Sequence, residues 1–403
     1  VGLVLAMTLD RNGNGYDISS QNYFRNLQKE IKAKIKPAKH QSVSEARGKL
    51  SWQAFEYLLH AANLENQGLP ASLMFKGHIT RAIDGTSFYV PRTDELLKYF
   101  SPRKTKADEG ETHYPFGLCV TAVNVFTGQP AAAVADDYTK SERELLQKLP
   151  AKFKANDLSL LDRGLGGGAI YLAYQEALQF FIHRAKTTGD RVALYVQDFL
   201  LAKKKQQIKK VVILDKDSGK LVEMELRLIL GPIDSEGKPI VFITNLLDKS
   251  SYGRAEIIQL YRKRWNVETL YNRVKNLLCL EKFHARSYNG IMQEIFANLL
   301  ALSLAAIAVT AVVQEDKLDP EIKLPSFKNA TEAVRRNLFS IIDERITRKK
   351  PKAIVRKILK EVRAVMYEIR PGRSYPRVSR QPIKSWNLKK SAKLKAFAEQ
   401  KGA

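Results

Sequence analysis

Cysteine is almost missing from this 403-residue chain: Cys119 and Cys279 are the only two, and they make no metal-ligand spacing. That excludes a disulfide-dense scaffold and a cysteine zinc site, and it fits a reduced, cytosolic interior. Histidine is sparse and scattered, so each of the six reads as a surface or core residue before it reads as a zinc ligand. Acid is short relative to base, with 42 Asp or Glu against 67 Lys or Arg and a net charge of +25. A surplus of that size calls for a polyanionic partner, most simply nucleic acid. No lipidation signal and no short polybasic helix with an aromatic face directs the charge to a membrane surface instead. The apolar opening Val1–Met7 is too short for a secretory signal and lacks its charged flank. The glycine run DRGLGGG, which starts at Asp162, is not followed by Gly-Lys-Ser/Thr. That argues against a phosphate-cradling P-loop, and the glycines read better as a flexible turn from strand to helix.

What the chain does contain suits two or three domains and a sizeable core. Residues 1–75 read as helical and basic, with Phe24, Leu27 and Ile31 at helical spacing over Ser20–Ile35, and Val43, Leu50, Phe55, Leu58 and Leu59 over Ser42–Asn63. Either a small DNA-binding module or a helical cap on the core satisfies that pattern. Arg47 and Lys49 are its candidate phosphate contacts. From His78 the character becomes β: a strand over His78–Asp84 ending at the turn Gly85-Thr86, an extended run Ser87–Val90, and a hairpin of Tyr114–Phe126 with Gln129–Ala135. Ser141 is a plausible N-cap for a short helix over Glu142–Leu149, and Leu158–Leu161 is a buried strand with Asp162 at its end. Helix Ala169–Phe180 and strand Phe181–Arg184 follow. Residues 190–248 hold further β-type runs at Val211–Leu214, Leu221–Leu230 and Ile240–Ile243, with basic clusters at Lys203–Lys205 and Lys209–Lys210.

The proline-free stretch Ser250–Lys282 is long enough for one helix. With about 100° per residue, Tyr261, Arg264, Glu268 and Lys275 share a strip roughly 60° wide, while Val267, Leu270, Val274 and Leu277 lie on a different arc suited to packing. The same spacing also suits a solvated face with Arg264 and Glu268 paired at i,i+4. Beyond it, Ile291–Val313 is apolar enough over its second half to span a bilayer, yet Gln293, Glu294 and Asn298 interrupt the first half. A helix buried behind a sheet fits better. From Arg345 onward there are 19 Lys or Arg against 3 Asp or Glu, with Tyr367, Tyr375 and Trp386 interleaved. Pro371, Gly372 and Pro376 suggest a linker, and Ser374–Ala403 an extended basic arm for DNA or dimer contacts.

Tyr261, two residues, Arg264, three residues, Glu268, six residues and Lys275 resemble the Y-(2)-R-(3)-E-(6)-K signature of insertion-sequence-4 family DDE transposases. Asp84 in IDGT and Asp162 in DRG resemble the contexts of that family's two catalytic aspartates, in the right order. The resemblance implies a mixed α/β chain. A ribonuclease-H-like core would occupy 76–189 and 249–315, interrupted by a β-rich insertion at 190–248, with a helical DNA-binding region at 1–75 and a basic helical region and tail at 316–403. It implies a catalytic and metal-binding set of Asp84, Asp162 and Glu268, with Tyr261, Arg264, Lys275 and Arg163 on DNA. Carboxylates crowded together need divalent cations to neutralise them, so two Mg2+ ions are expected, with Mn2+ as substitute. The partners implied are double-stranded DNA, as terminal inverted repeats and as target, and a second copy in a synaptic homodimer. No membrane partner is implied, and the location would be the bacterial cytoplasm. Some members of that family pass through a DNA hairpin and stack a flipped base on an aromatic in the insertion; residues 190–248 hold no tryptophan. The activity implied is cut-and-paste transposition, with a non-transposing nuclease or an inactive DNA-binding derivative as alternatives.

Overall fold

Successive side chains of a strand leave on opposite faces. In β1 (Thr80–Tyr89) this sends Ala82 and Phe88 to one apolar core and Ile83 to another, all three fully buried. The computed structural model describes residues 1–8, 16–31, 36–104, 111–190, 192–215, 218–265, 268, 283–338, 341 and 351–369. β1 pairs antiparallel with β3 (Glu111–Asn124). The far edge of β3 pairs first with β2 (Ser101–Lys104) and then with β4 (Pro130–Asp137). On its other side β1 runs parallel to β5 (Leu158–Leu161), and β5 runs parallel to β6 (Phe180–Arg184). The order β4-β3-β1-β5-β6, with three antiparallel strands followed by two parallel ones, is that of a ribonuclease-H-like sheet. The chain is a mixed α/β protein built on that core.

The region after β6 does not stand apart. β9 (Pro239–Thr244) pairs antiparallel with β6, and β8 (Leu221–Ile233) and β7 (Gln206–Leu214) continue outward. Among the described residues the sheet thereby grows to nine strands, and the open edge that β6 would present is covered. A helix at Leu194–Leu201, which the β-type runs did not reveal, precedes β7.

Helices cover both faces. One core takes in the helix Tyr288–Glu315 together with Phe55 and Leu59 of the helix Gln53–Ala61 and Ile257 and Leu260 of the helix Arg254–Arg262. The other takes in Leu145 and Leu146 of the helix Glu142–Leu146, Tyr171 and Tyr174 of Gly168–Glu176, and Phe199. The apolar stretch read as a buried helix is therefore one. Tyr288–Glu315 has the length and hydropathy to cross a membrane, and it is mostly buried inside the protein.

At the N-terminus the two expected helices are four among the described residues: Gly2–Thr8, Tyr16–Ile31, His40–Lys49 and Gln53–Ala61. The run Ser42–Asn63 breaks because Leu50 takes an extended conformation, and Trp52 beyond it stacks on Phe296 at 5.1 Å. Arg47 is a buried anchor and not the expected phosphate contact. Its side chain meets Glu294 Oε1 at 2.9 Å, Gln293 Oε1 at 3.0 Å and the Gly290 carbonyl at 3.1 Å, and only 7% of the residue is exposed. Lys49 stays exposed. Helices Phe327–Arg336 and Pro351–Arg363 pack against the end of the long helix. Tyr367 lies exposed in a short strand. The expected linker and arm, with Pro371, Gly372, Pro376, Tyr375 and Trp386, lie outside the described residues.

Candidate active site

β1 was expected to stop at Asp84, but it runs on to Tyr89, with Asp84 opposite Thr121 and Gly85 opposite Val120. The strand continues because β3 is long enough to pair with all of it, whereas β5 is not. The parallel pairing ends at Ile83 with Leu161. Asp84 and Asp162 are therefore the next residues of two neighbouring strands in register. Strand neighbours stand about 4.8 Å apart, and matching positions share a face. Both aspartates leave on the face of Ala82 and Leu160.

The third element approaches that rim from the same side. Asp248 accepts from the Ser250 backbone at 2.8 Å, and Glu256 reaches back to the Gly253 N–H at 2.9 Å. The helix therefore opens at Arg254 rather than Ser250. It tightens into a 3-10 turn at Lys263–Trp265, and Glu268 is helical beyond it. Tyr261, 7% exposed, packs on Phe242, and its hydroxyl donates to the carbonyl of Leu161 at 3.0 Å. Burial raises the pKa of that phenol. The hydroxyl is thus spent on the residue before Asp162, a different post from the phosphate contact the resemblance implies. Arg264, 4% exposed, bridges Glu268 Oε1 at 3.1 Å and Asp162 Oδ1 at 3.9 Å. Arg163 is exposed beside Asp162. Lys275 and the packing residues Val267, Leu270, Val274 and Leu277 lie outside the described residues.

Electrostatics at the rim are crowded. Burial pushes the Asp84 carboxyl up to about 6; the charges of Glu142 and Asp162 add to this, while the Gly85 N–H and Arg264 oppose it. Glu142 is also raised, by burial first and by Asp162 second. The sequence reading placed Glu142 on a helix, but nothing in the local pattern said that this helix meets the strand of Asp84. His183 was passed over as well. Its ring occupies the space that Gly166 leaves for want of a side chain, and Tyr171 Oη lies 2.7 Å from Nδ1. Burial pushes the imidazole down to about 4, so it packs neutral beneath the glycine turn after Asp162.

Among the described residues no three Asp, Glu, His or Cys side chains converge closely enough to hold an ion between them. The donors nonetheless fit a hard divalent cation. They are oxygen ligands, and two of them are neighbouring carboxylates whose shared ionisation a cation would favour.

Residues 76–304 match the family model described as the transposase DDE domain. That covers more than half of the chain, which belongs to this family. Over 227 residues the chain is 25% identical to the transposase InsG for insertion sequence element IS4 of Escherichia coli (strain K12), a match covering 55% of this chain and 50% of that protein. The chain thus spans about half the length of that curated relative. A solved piggyBac transposase, in a synaptic complex with hairpin DNA, is 12% identical with a TM-score of 0.39, covering 77% of this chain and 61% of that one.

Proposed function

We propose that this protein is a cut-and-paste DNA transposase that cleaves the ends of its element and joins them to target DNA. The observation that carries the reading is the register of Asp84 and Asp162 on adjacent strands of a transposase DDE domain, with Arg264 linking Asp162 to Glu268. Asp84, Asp162 and Glu268 would hold two Mg2+ ions, or Mn2+ in their place. When bound, such ions activate the attacking water or 3′-hydroxyl and stabilise the leaving oxygen of an in-line displacement.

The protein's own part is placement and charge. Tyr261 fixes its helix to the end of β5, and Arg264 holds the Asp162 and Glu268 carboxylates toward one another. Arg163, exposed beside Asp162, takes a phosphate as a fork, and Lys275 takes one as a point charge. Lys49 and the basic tail add contacts without sequence preference. In the insertion Lys209 and Lys210 are paired with Asp198 and Glu223 across the surface, which leaves Lys203–Lys205 as its stronger DNA candidates. The partners are terminal inverted repeats, target DNA and a second copy of the chain, in the bacterial cytoplasm.

The test is an assay of the purified full chain on DNA carrying candidate terminal repeats, with and without Mg2+. Paired-end cleavage followed by strand joining supports transposition. Cleavage without joining points to a nuclease on the same fold, and binding without metal-dependent cutting removes the enzyme altogether.

A further inference from the structure

The helix Pro351–Arg363 lies outside residues 76–304, which match the DDE domain, and its two faces are unlike. Ile354, Ile358, Leu359 and Val362 are buried in the core shared with Tyr288–Glu315 and Phe327–Arg336. The one acid of the helix, Glu361, is spent on neighbouring side chains. Arg336 Nη1 donates to its Oε2 at 3.1 Å, Asn337 to its Oε1 at 3.2 Å, and Asn329 to its backbone carbonyl at 2.6 Å. Arg363 ties down the end of the helix by pairing with Asp316 at 2.8 Å. The outer side is different. Lys352, Arg356 and Lys360 stand exposed at intervals of four residues, about 6 Å of rise at each step, with Lys357 beside them. None of these four cations makes a hydrogen bond or ion pair with a described residue.

We propose that this face is a docking surface for duplex DNA, held through its phosphates. The inference rests on the reading of the chain as a DNA-acting protein, and it gives that partner a contact surface on a folded helix apart from the carboxylates. Like charges fixed in a row on a packed helix repel one another, and a partner with a dense, repeated negative charge relieves them. Duplex DNA has that charge, and releases its own counterions on binding. A bilayer fits the face less well. A helix that lies on a membrane buries its apolar side in the lipid, whereas the apolar side of this one is already used inside the protein. Contacts of this kind fix where the duplex lies and carry no base sequence.

The experiment is the affinity of the full chain for a short duplex of random sequence, without divalent metal, read by fluorescence anisotropy between about 50 and 200 mM salt. Lys352→Gln, Arg356→Gln and Lys360→Gln should each reduce the slope of log Kd against log salt by about 1, and the triple variant by about 3. Glutamine is a good helix former, and thermal melts confirm that each variant is folded. Lys154→Gln removes an exposed charge before the start of β5, at the end of that strand away from Asp162, and should leave the slope unchanged. An unchanged slope in the triple variant, or an equal drop in Lys154→Gln, overturns the proposal. So does a triple variant that keeps its duplex affinity and loses cosedimentation with phosphatidylserine vesicles, which would assign the face to an anionic membrane. If the wild type itself shows no salt-dependent binding to the duplex, the DNA-acting reading falls as well; if it binds and the triple variant matches it, only this face is misassigned.

Discussion

Ile83 and Leu161 are the last partners in the parallel pairing of β1 with β5, so Asp84 and Asp162 leave adjacent strands side by side. They are far apart along the chain, and only hydrogen-bond register makes them neighbours. Tyr261 reaches the same spot by donating to the Leu161 carbonyl, and Arg264 then spans from Asp162 to Glu268.

Glu268→Gln and Asp162→Asn should keep DNA binding and lose cleavage. Groups that act in concert on a transition state typically cost at least about a thousandfold in rate when one is removed. Gel-shift and cleavage assays on the same DNA check both halves. Undiminished cutting by Glu268→Gln would remove that residue from the site.

Asp84 carries a pH dependence of defined sign. Its folded pKa, about 6, lies above the ordinary carboxyl value. The stability it contributes is therefore fully present below about pH 4 and lost as pH rises through about 6. Without metal, Asp84→Asn should be the more stable protein at pH 7.5, by on the order of 2 kcal/mol, and the gain should vanish at pH 4. Adding Mg2+ at pH 7.5 should raise the melting temperature of the wild type and not that of the variant. Urea unfolding at both pH values, with chelator, tests this; a gain of equal size at pH 4 would contradict it.

Tyr261→Phe removes a buried hydroxyl and strands the Leu161 carbonyl. A loss of about 1–2 kcal/mol in stability is expected, with DNA affinity unchanged. A fall in DNA affinity at constant stability would restore the tyrosine to a phosphate.

Arg47→Ala should act on folding and not on DNA. It leaves Glu294 buried without its cation, which typically costs about 3–5 kcal/mol. Lys49→Ala, at an exposed position, should stay within about 0.5 kcal/mol of the wild type. Equilibrium unfolding compared with DNA binding of the folded fraction distinguishes the two.

Much of this was legible in the sequence because it is local. The strand Leu158–Leu161 stands as read, and Ser141 caps its helix as its spacing implied. The buried helix around Ile291–Val313 was legible from its apolar length, and the membership of the family from four side chains at fixed intervals and two aspartate contexts. Three other features were decided by distant partners. β1 runs through Asp84 because β3 continues beside it, and Arg47 is buried because Glu294 waits on a helix some 250 residues away. Glu142 faces Gly85 because the fold sets the start of its helix against β1 where a glycine leaves room. Periodicity and motif report what each residue prefers among its own neighbours. Register, burial and the meeting of charges are set by contacts that exist only once the chain has folded.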